Sequence, residues 1–296
     1  MEILVLGGGG QVGTELQAFA WPEGARVHAP DRSALDITDA ASVAAVFAER
    51  DYAVVINTAA YTAVDKAEAD IAAAWRLNAL APAVLAAETK ARGIPLVHVS
   101  TDYVFAGTKP EGAYAPDEAI DPRSVYGASK AAGEMAVRTA NPRHAILRTA
   151  WVVSPHRGNF VKTMLRLAGE RDTLTVVDDQ FGCPTSAADL AAALAGVALR
   201  MAADPQAPTG TFHCVNAGAT SWRGFAQAIV EGSARRGGRS IPVEGIPTSA
   251  YPTPARRPAN SRLSTESLTA AYGIAPRPWQ AALDDILDRL VGPVKA

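Results

Sequence analysis

The stretch MEILVLGGGGQVG at the start of the chain constrains the fold more than any other. Five residues suited to a buried strand run into a glycine-rich turn, and the residues after it, from about Val12 to Phe19, have the pattern of a helix. Gly7, Gly10 and Gly13 fall at G-x-x-G-x-x-G spacing. Glycines serve there because the turn is tight and the backbone must come close to a pyrophosphate. The free N–H groups of the following helix then face that anion. A glycine run alone is a flexible turn; between a strand and a helix it points to a bound dinucleotide. Gln11 and Val12, in the first helical turn, join the three glycines as candidate cofactor-binding residues.

Strands and Ala-rich helices alternate through the first half: ARVHAPD, a helix near 39–50, YAVVINTA, a long helix around 66–92, IPLVHVSTD, the helix containing VYGASKAAGE, and HAILRTAWVV. Such alternation predicts βαβ units, and the nearly all-apolar VVIN and LVHV suit strands covered on both faces. The fold class is α/β: a Rossmann-like, doubly wound parallel sheet with a smaller C-terminal α/β substrate domain. Residues 1–150 form the dinucleotide-binding part, with segments near 170–195 and 212–232 returning to it, and 151–296 mainly the substrate-binding part. Of 296 residues 48% are hydrophobic and 20% charged, enough for a large core. A net charge of −2 gives no electrostatic case for nucleic acid or an anionic membrane. No apolar run reaches the ~20 residues that span a bilayer. The first residues read as a strand of the mature protein, not a signal peptide. Cys183 and Cys214 read as free thiols of a reducing cytoplasm, and five scattered histidines support no metal site.

Ligands of doubly wound sheets sit beyond the carboxyl ends of the strands. At the end of the second strand, Asp31 suits the adenosine ribose hydroxyls of NAD, whereas Arg32 suits the 2′-phosphate of NADP. Asp36 and Ile37, in LDITD, are placed to meet the adenine, or Thr38 or Asp39 there caps a helix. VVIN ends in TAAYTAVDKAE, where the small Ala59 and Ala60 let a nicotinamide lie against the backbone, and Tyr61 and Thr62 complete the candidate cofactor set. LVHV ends in STDYVF, which brings Ser100, Thr101 and Asp102 to the mouth. Tyr126 and Lys130, four residues apart, share one helix face. An ammonium beside a phenol lowers its pKa, which would make Tyr126 a usable proton donor near neutral pH.

With these residues the chain resembles the extended short-chain dehydrogenase/reductases. Within them it is most similar to reductases of 4-keto-6-deoxy sugars carried on thymidine diphosphate. GGGGQVGTEL, LDITD, NTAAYTAVDKAE, VSTDYVFAG, VYGASKAAGE, LRTAWVVS, GNFVKTMLRLA and DDQFGCPTSAADLA carry the likeness in order to about residue 195, and ARRPANSRLS with the final helix extends it. The resemblance implies a catalytic trio of Thr101, Tyr126 and Lys130, and NADPH or NADH as hydride source. It implies a sugar pocket lined by Thr62, Val64, Thr101, Asp102, Tyr103 and Trp151, with Arg256 or Arg257 on the diphosphate. Its partner is then a dTDP-sugar, and a homodimer is within its range. Some relatives bridge dimers through Mg²⁺ held by glutamates. Glu15 fits that pattern but Ala188 stands where a second glutamate belongs, which argues against the metal. Dehydration would need an Asp-Glu pair after Thr101, and Asp102 is followed by Tyr103. An epimerase, another nucleotide-sugar 4-ketoreductase and a reductase-like regulatory subunit stand as alternatives.

Overall fold

The computed structural model describes residues 1–295. The first half lays down β1 (Glu2–Leu6), α1 (Gln11–Ala18), β2 (Arg26–His28), α2 (Ala40–Glu49), β3 (Tyr52–Asn57), α3 (Val64–Ala67), α4 (Ile71–Trp75), α5 (Ala81–Ala91), β4 (Leu96–Thr101), α6 (Val125–Ala140) and β5 (His144–Thr149). Beyond it come β6 (Val152–Val153), α7 (Phe160–Glu170), β7 (Leu174–Val177), β8 (Phe181–Gly182), β9 (Thr185–Ser186) and α8 (Ala187–Ala203). The chain closes with β10 (Gly210–His213), β11 (Thr220–Ser221), α9 (Trp222–Ala234), β12 (Val243–Ile246), β13 (Asn260–Ser261), α10 (Glu266–Tyr272) and α11 (Trp279–Val291).

Six strands form one parallel sheet in the order β10-β5-β4-β3-β1-β2. The order reverses at β1, between β2 on one side and β3 on the other, which is the switch point where doubly wound sheets bind ligands. Both faces are covered, as the apolar strands require. On one face α1 and α8 pack against Ile3, Val5, Val54 and Val97, with Leu190, Leu194 and Val197 from α8 in the same core. On the other, Leu4, Leu6, Val55 and Ile146 meet Val43 and Phe47 of α2, Leu85 of α5 and Val137 of α6. A separate core joins α7, α9, α11, β7 and β12 around Phe225, Ile229, Trp279 and Leu287. Thus β10 and α8 return to the main sheet, whereas β7 and α9 stay in the second unit.

The stretch expected as one helix over 66–92 is interrupted at 68–70, between α3 and α4, and runs on as one helical path from Ile71 to Ala91. Between α4 and α5 the residues Arg76–Leu80 form a π-helical turn, and this turn carries the wholly buried Asn78. Such turns arise where one residue too many must face inward, often at a functional site. Here Asn78 accepts from the Tyr61 N–H (2.8 Å) and donates to the Tyr61 carbonyl (3.1 Å) and Ser129 Oγ (3.0 Å). It ties the loop after β3 to α6. Gly133 of α6 makes room, since a Cβ there would lie 2.1 Å from the Asn78 carbonyl oxygen.

α6 is fixed to the sheet by a buried ion pair. Arg148 of β5 donates from Nε and Nη2 to the two oxygens of Glu134, both at 2.8 Å. Removing one partner of a buried pair leaves an uncompensated charge, at a cost of about 3–5 kcal/mol. Glu134→Gln, which leaves the buried Arg148 without a counter-charge, should therefore lose about that much unfolding free energy in urea titrations. A loss below about 1 kcal/mol, the range of exposed pairs, would contradict the assignment.

Candidate active site

The glycine turn is built as its spacing requires. Gly7 has φ +82, and a Cβ on it would stand 2.7 Å from both Ala59 N and Thr58 Oγ1. A Cβ on Gly13 would stand 2.2 Å from the Gly7 carbonyl oxygen. Helix α1 therefore lies directly on the turn, and the turn on the loop after β3. The helix N-cap is Gly10, with no side chain to occupy the first-turn N–H groups. That uncapped end and the cradle suit a dinucleotide pyrophosphate. Val12 packs into the core beneath, while the Gln11 side chain turns to the second half: its Oε1 accepts from Ser154 Oγ (2.7 Å) and Asn159 Nδ2 (3.0 Å).

Strand β2 stops at His28, so Asp31 and Arg32 lie in a turn beyond it. Asp31 Oδ1 accepts from Ser33 N (2.8 Å), Ser33 Oγ (2.6 Å) and Ala34 N (3.0 Å), and these bonds hold the carboxyl below its ordinary pKa. Arg32 is exposed and makes no ion pair among the described residues. LDITD forms a turn that leads into α2: Asp36 accepts from Thr38 N (2.9 Å) and Oγ1 (2.8 Å), Ile37 is buried, and Asp39 caps α2 by accepting from Ala41 N (3.1 Å). Ala59 lies against the glycine turn and is half-buried, as is Ala60; Tyr61 is pinned by Asn78 and by a bond to Asp70 (3.0 Å), and Thr62 is exposed ahead of Val64 at the start of α3.

Thr101 and Asp102 stand at the carboxyl end of β4, facing Tyr126 at the start of α6. Ser124 caps that helix by accepting from Gly127 N (3.1 Å). A Cβ on Gly127 would be 2.2 Å from the Tyr103 carbonyl oxygen, so its absence lets α6 close onto this strand end. The Tyr103 and Tyr126 rings meet edge to face at 5.4 Å. Thr101 Oγ1 donates to Asp102 Oδ1 (2.9 Å) and accepts from Tyr103 N (3.2 Å). Asp102 Oδ2 is buried without a partner, and burial pushes the carboxyl up to about 6. Ser100 Oγ is likewise unpartnered.

Lys130 does not lower the Tyr126 pKa in this structure. Its Nζ, enclosed by strand and helix, donates to the Val99 carbonyl (2.7 Å). Burial holds the Tyr126 phenol above its ordinary value, and the Thr101 hydroxyl offsets only part of this. Burial also brings Lys130 down to about 8, against the opposing pull of Glu134. His98 lies beside this amine. Asn57 Oδ1 accepts from Ala59 N (3.0 Å), which turns Asn57 Nδ2 toward His98 Nδ1 (3.1 Å). The neutral His98 then carries its proton on Nε2, 3.5 Å from Lys130 Nζ. Neither Asn57 nor His98 was singled out in the sequence, because each reads as one more residue of a buried strand.

Trp151 has φ +50, a conformation uncommon for a bulky residue and a marker of functional sites. A Cβ on Gly182 would fall 2.5 Å from its ring, and Trp222 stacks on it at 3.6 Å. Arg257, not Arg256, is drawn into the site: its Nη1 donates to Tyr103 OH (2.8 Å) and its Nη2 pairs with Asp65. Arg256 is exposed. Glu15 is paired with Arg289 (2.9 Å) and His156 (3.0 Å). No cluster of three or more His, Cys, Asp or Glu able to hold a metal occurs among the described residues.

A doubly wound sheet, a glycine cradle at its switch point, and Thr, Tyr and Lys gathered where α6 meets β4 define an oxidoreductase of the extended short-chain dehydrogenase/reductase class. More narrowly, the family model described as the RmlD substrate binding domain matches residues 1–291, and the chain belongs to that family. It is 45% identical over 290 residues to a dTDP-4-dehydrorhamnose reductase of Burkholderia thailandensis, covering 96% of this chain and 97% of the relative. The crystal structure of a dTDP-4-dehydrorhamnose reductase from Clostridium acetobutylicum superposes with TM-score 0.91 at 38% identity, over 98% of this chain and 99% of the other. That of a Bacillus anthracis dTDP-4-dehydrorhamnose reductase in complex with NADP gives 0.90 at 33%, over 97% and 99%.

Asp102 generates a pH test. Above about 4 an unfolded chain sheds this proton, while the folded chain keeps it up to about 6. Its contribution to stability is therefore present below about 4 and lost as the pH rises through about 6. Relative to Asp102→Asn, which has no such titration, the wild type should lose roughly 2 kcal/mol of unfolding free energy between pH 4 and 7. Urea titrations at the two pH values measure this, and parallel curves for the two proteins would contradict it.

Proposed function

We propose that the chain catalyses NADPH-dependent reduction of the C4 keto group of dTDP-4-dehydrorhamnose, giving dTDP-L-rhamnose. The observation that carries this reading is a phenol kept protonated by burial, Tyr126, beside a hydroxyl, Thr101, at the mouth of a sheet whose switch point bears a dinucleotide cradle. Its family membership and the activity named for its relatives support the choice of substrate.

A bound nicotinamide dinucleotide supplies the hydride. The chain itself orients the carbonyl and delivers the proton. Thr101 can rotate its hydroxyl from Asp102 to the sugar carbonyl oxygen, since the rotor has one proton and two accepting positions. Tyr126 gives its proton to the alkoxide that forms. Lys130, whose amine and ammonium forms are both accessible near neutral pH, holds the ribose next to the nicotinamide. The unpartnered Asp102 Oδ2 is an acceptor for a sugar hydroxyl. Trp151 forms an apolar wall, and Arg257 or the exposed Arg256 faces the diphosphate.

Simple reduction is favoured over dehydration because Tyr103 occupies the position after Asp102. Its hydroxyl is spent on Arg257 and its pKa is pushed up to about 12 by burial, so it is no acid or base for an elimination. NADPH is favoured over NADH because Asp31 spends an oxygen on its own turn while Arg32 is unpaired. The two cysteines are buried and unpaired, and the Cys214 thiol is pushed up to about 12. Unreactive thiols of this kind suit the cytoplasm, and among the described residues no helix is long and apolar enough to cross a membrane.

Tyr126→Phe removes the proton donor without altering the cradle. Turnover with NADPH and dTDP-4-dehydrorhamnose should fall by about 10²–10⁴. The dissociation constant for NADPH, followed by nicotinamide fluorescence, should be little changed. Unchanged turnover would overturn the assignment.

A further inference from the structure

The reaction above leaves Arg157 unused, and its setting is unusual. Two non-glycine residues have positive φ among the described residues, Trp151 and Arg157 (φ +54). Such a conformation is costly for a residue with a side chain and persists where the surroundings impose it. For Trp151 the pocket explains it. Arg157 is exposed and packs in no core.

What imposes the conformation is the docking of the loop between β6 and α7 onto the first residue of α1. Ser154 and Asn159 both donate to Gln11 Oε1, and Asn159 Nδ2 also donates to the Ser154 carbonyl (2.7 Å). With both ends of the loop held in this way, Arg157 reaches over the glycine turn and its Nε donates to the Gly9 carbonyl (2.7 Å). A Cβ placed on Gly9 would have Arg157 Nη2, at 3.4 Å, as its nearest neighbour. The Nη1 and Nη2 groups have no acceptor among the described residues. The nearby carboxylate, Glu15, is already taken by Arg289 and His156. The lip of the cradle therefore presents a free guanidinium next to the uncapped N–H groups of α1.

We propose that Arg157 is a cofactor-binding residue whose guanidinium clamps the pyrophosphate of the dinucleotide against the glycine turn. The proposal rests on reading that turn as the dinucleotide site. Planar, forked donors match phosphate oxygens, and a strained backbone at an exposed arginine is retained for binding rather than for stability.

The test is titration of the full chain, without sugar, with NADPH and separately with NADH, followed by nicotinamide fluorescence, for wild type and Arg157→Gly. Glycine adopts φ +54 without strain, so the variant removes the guanidinium and relaxes the backbone together. Both dissociation constants should rise by the same factor, roughly tenfold, as expected for a charge-assisted contact at an exposed site. The melting temperature without cofactor should not fall. Unchanged affinity for both dinucleotides would overturn the proposal. A loss confined to NADPH would also overturn it, by placing the guanidinium on the 2′-phosphate. A drop in melting temperature alongside weaker binding would show a structural latch instead. Failure of the wild type to bind either dinucleotide would count against the reading of the cradle itself.

Discussion

The buried pair of Glu134 and Arg148 is the interaction on which the rest of the site depends. Tyr126, Lys130, Glu134 and Arg138 recur at every fourth residue of α6 and so share one face. Glu134 is the member that fastens this face to β5, while Arg138 shares its carboxylate (2.6 Å). Arg148 also donates to the Pro116 carbonyl (3.0 Å) and lies 4.9 Å over the Phe105 ring, so the same guanidinium holds the loop that leads from β4 to α6. Fixing α6 in this way sets the distance from Tyr126 to the strand end that carries Thr101. It also puts an anion one turn from Lys130, where it partly offsets the burial that would otherwise strip the ammonium of its proton.

The second half of the chain closes over this frame through a few polar contacts. Gln11 gathers the loop after β6. Asp65 accepts from Ala255 N (3.2 Å) and pairs with Arg257, which in turn bonds Tyr103. Gly107, at φ +71, leaves the space into which Pro258 packs, and its carbonyl accepts from Asn260 N (3.0 Å). These contacts join the Pro- and Arg-rich segment to the end of β4, where Tyr103 follows Thr101 and Asp102. The groups joined are the ones expected to touch cofactor and sugar, so binding and closure use the same residues.

Much of this was legible in the sequence where the signal is local. The glycine spacing follows from a steric demand at Gly7 and Gly13, and the strand ends carrying Ala59 and Thr101 follow from apolar runs that stop abruptly. What was not legible is what depends on distant partners. Asn78 reads as one polar residue in a helix, and only its burial against Tyr61 and Ser129 shows why that helix takes a π-helical turn there. Asn57 and His98 reach Lys130 through contacts that cross from β3 to β4 to α6. Strands of two residues, such as β6 paired with β9 and β8 paired with β11, have no periodicity to detect. The expected lowering of the Tyr126 pKa by Lys130 rested on helical spacing alone, whereas the ammonium finds the Val99 carbonyl first.

In the proposed reaction a hydride passes to a sugar carbonyl and a proton passes from Tyr126 to its oxygen. Incubation of the protein with dTDP-4-dehydrorhamnose and NADPH deuterated on the nicotinamide, with the product read by NMR, tests it most directly. Oxidised cofactor should form in step with product, with one deuterium at C4 of the sugar. Conversion without net cofactor oxidation or label would reveal an epimerase, and no conversion at all would leave a fold with its reductase chemistry lost; either result would contradict the account.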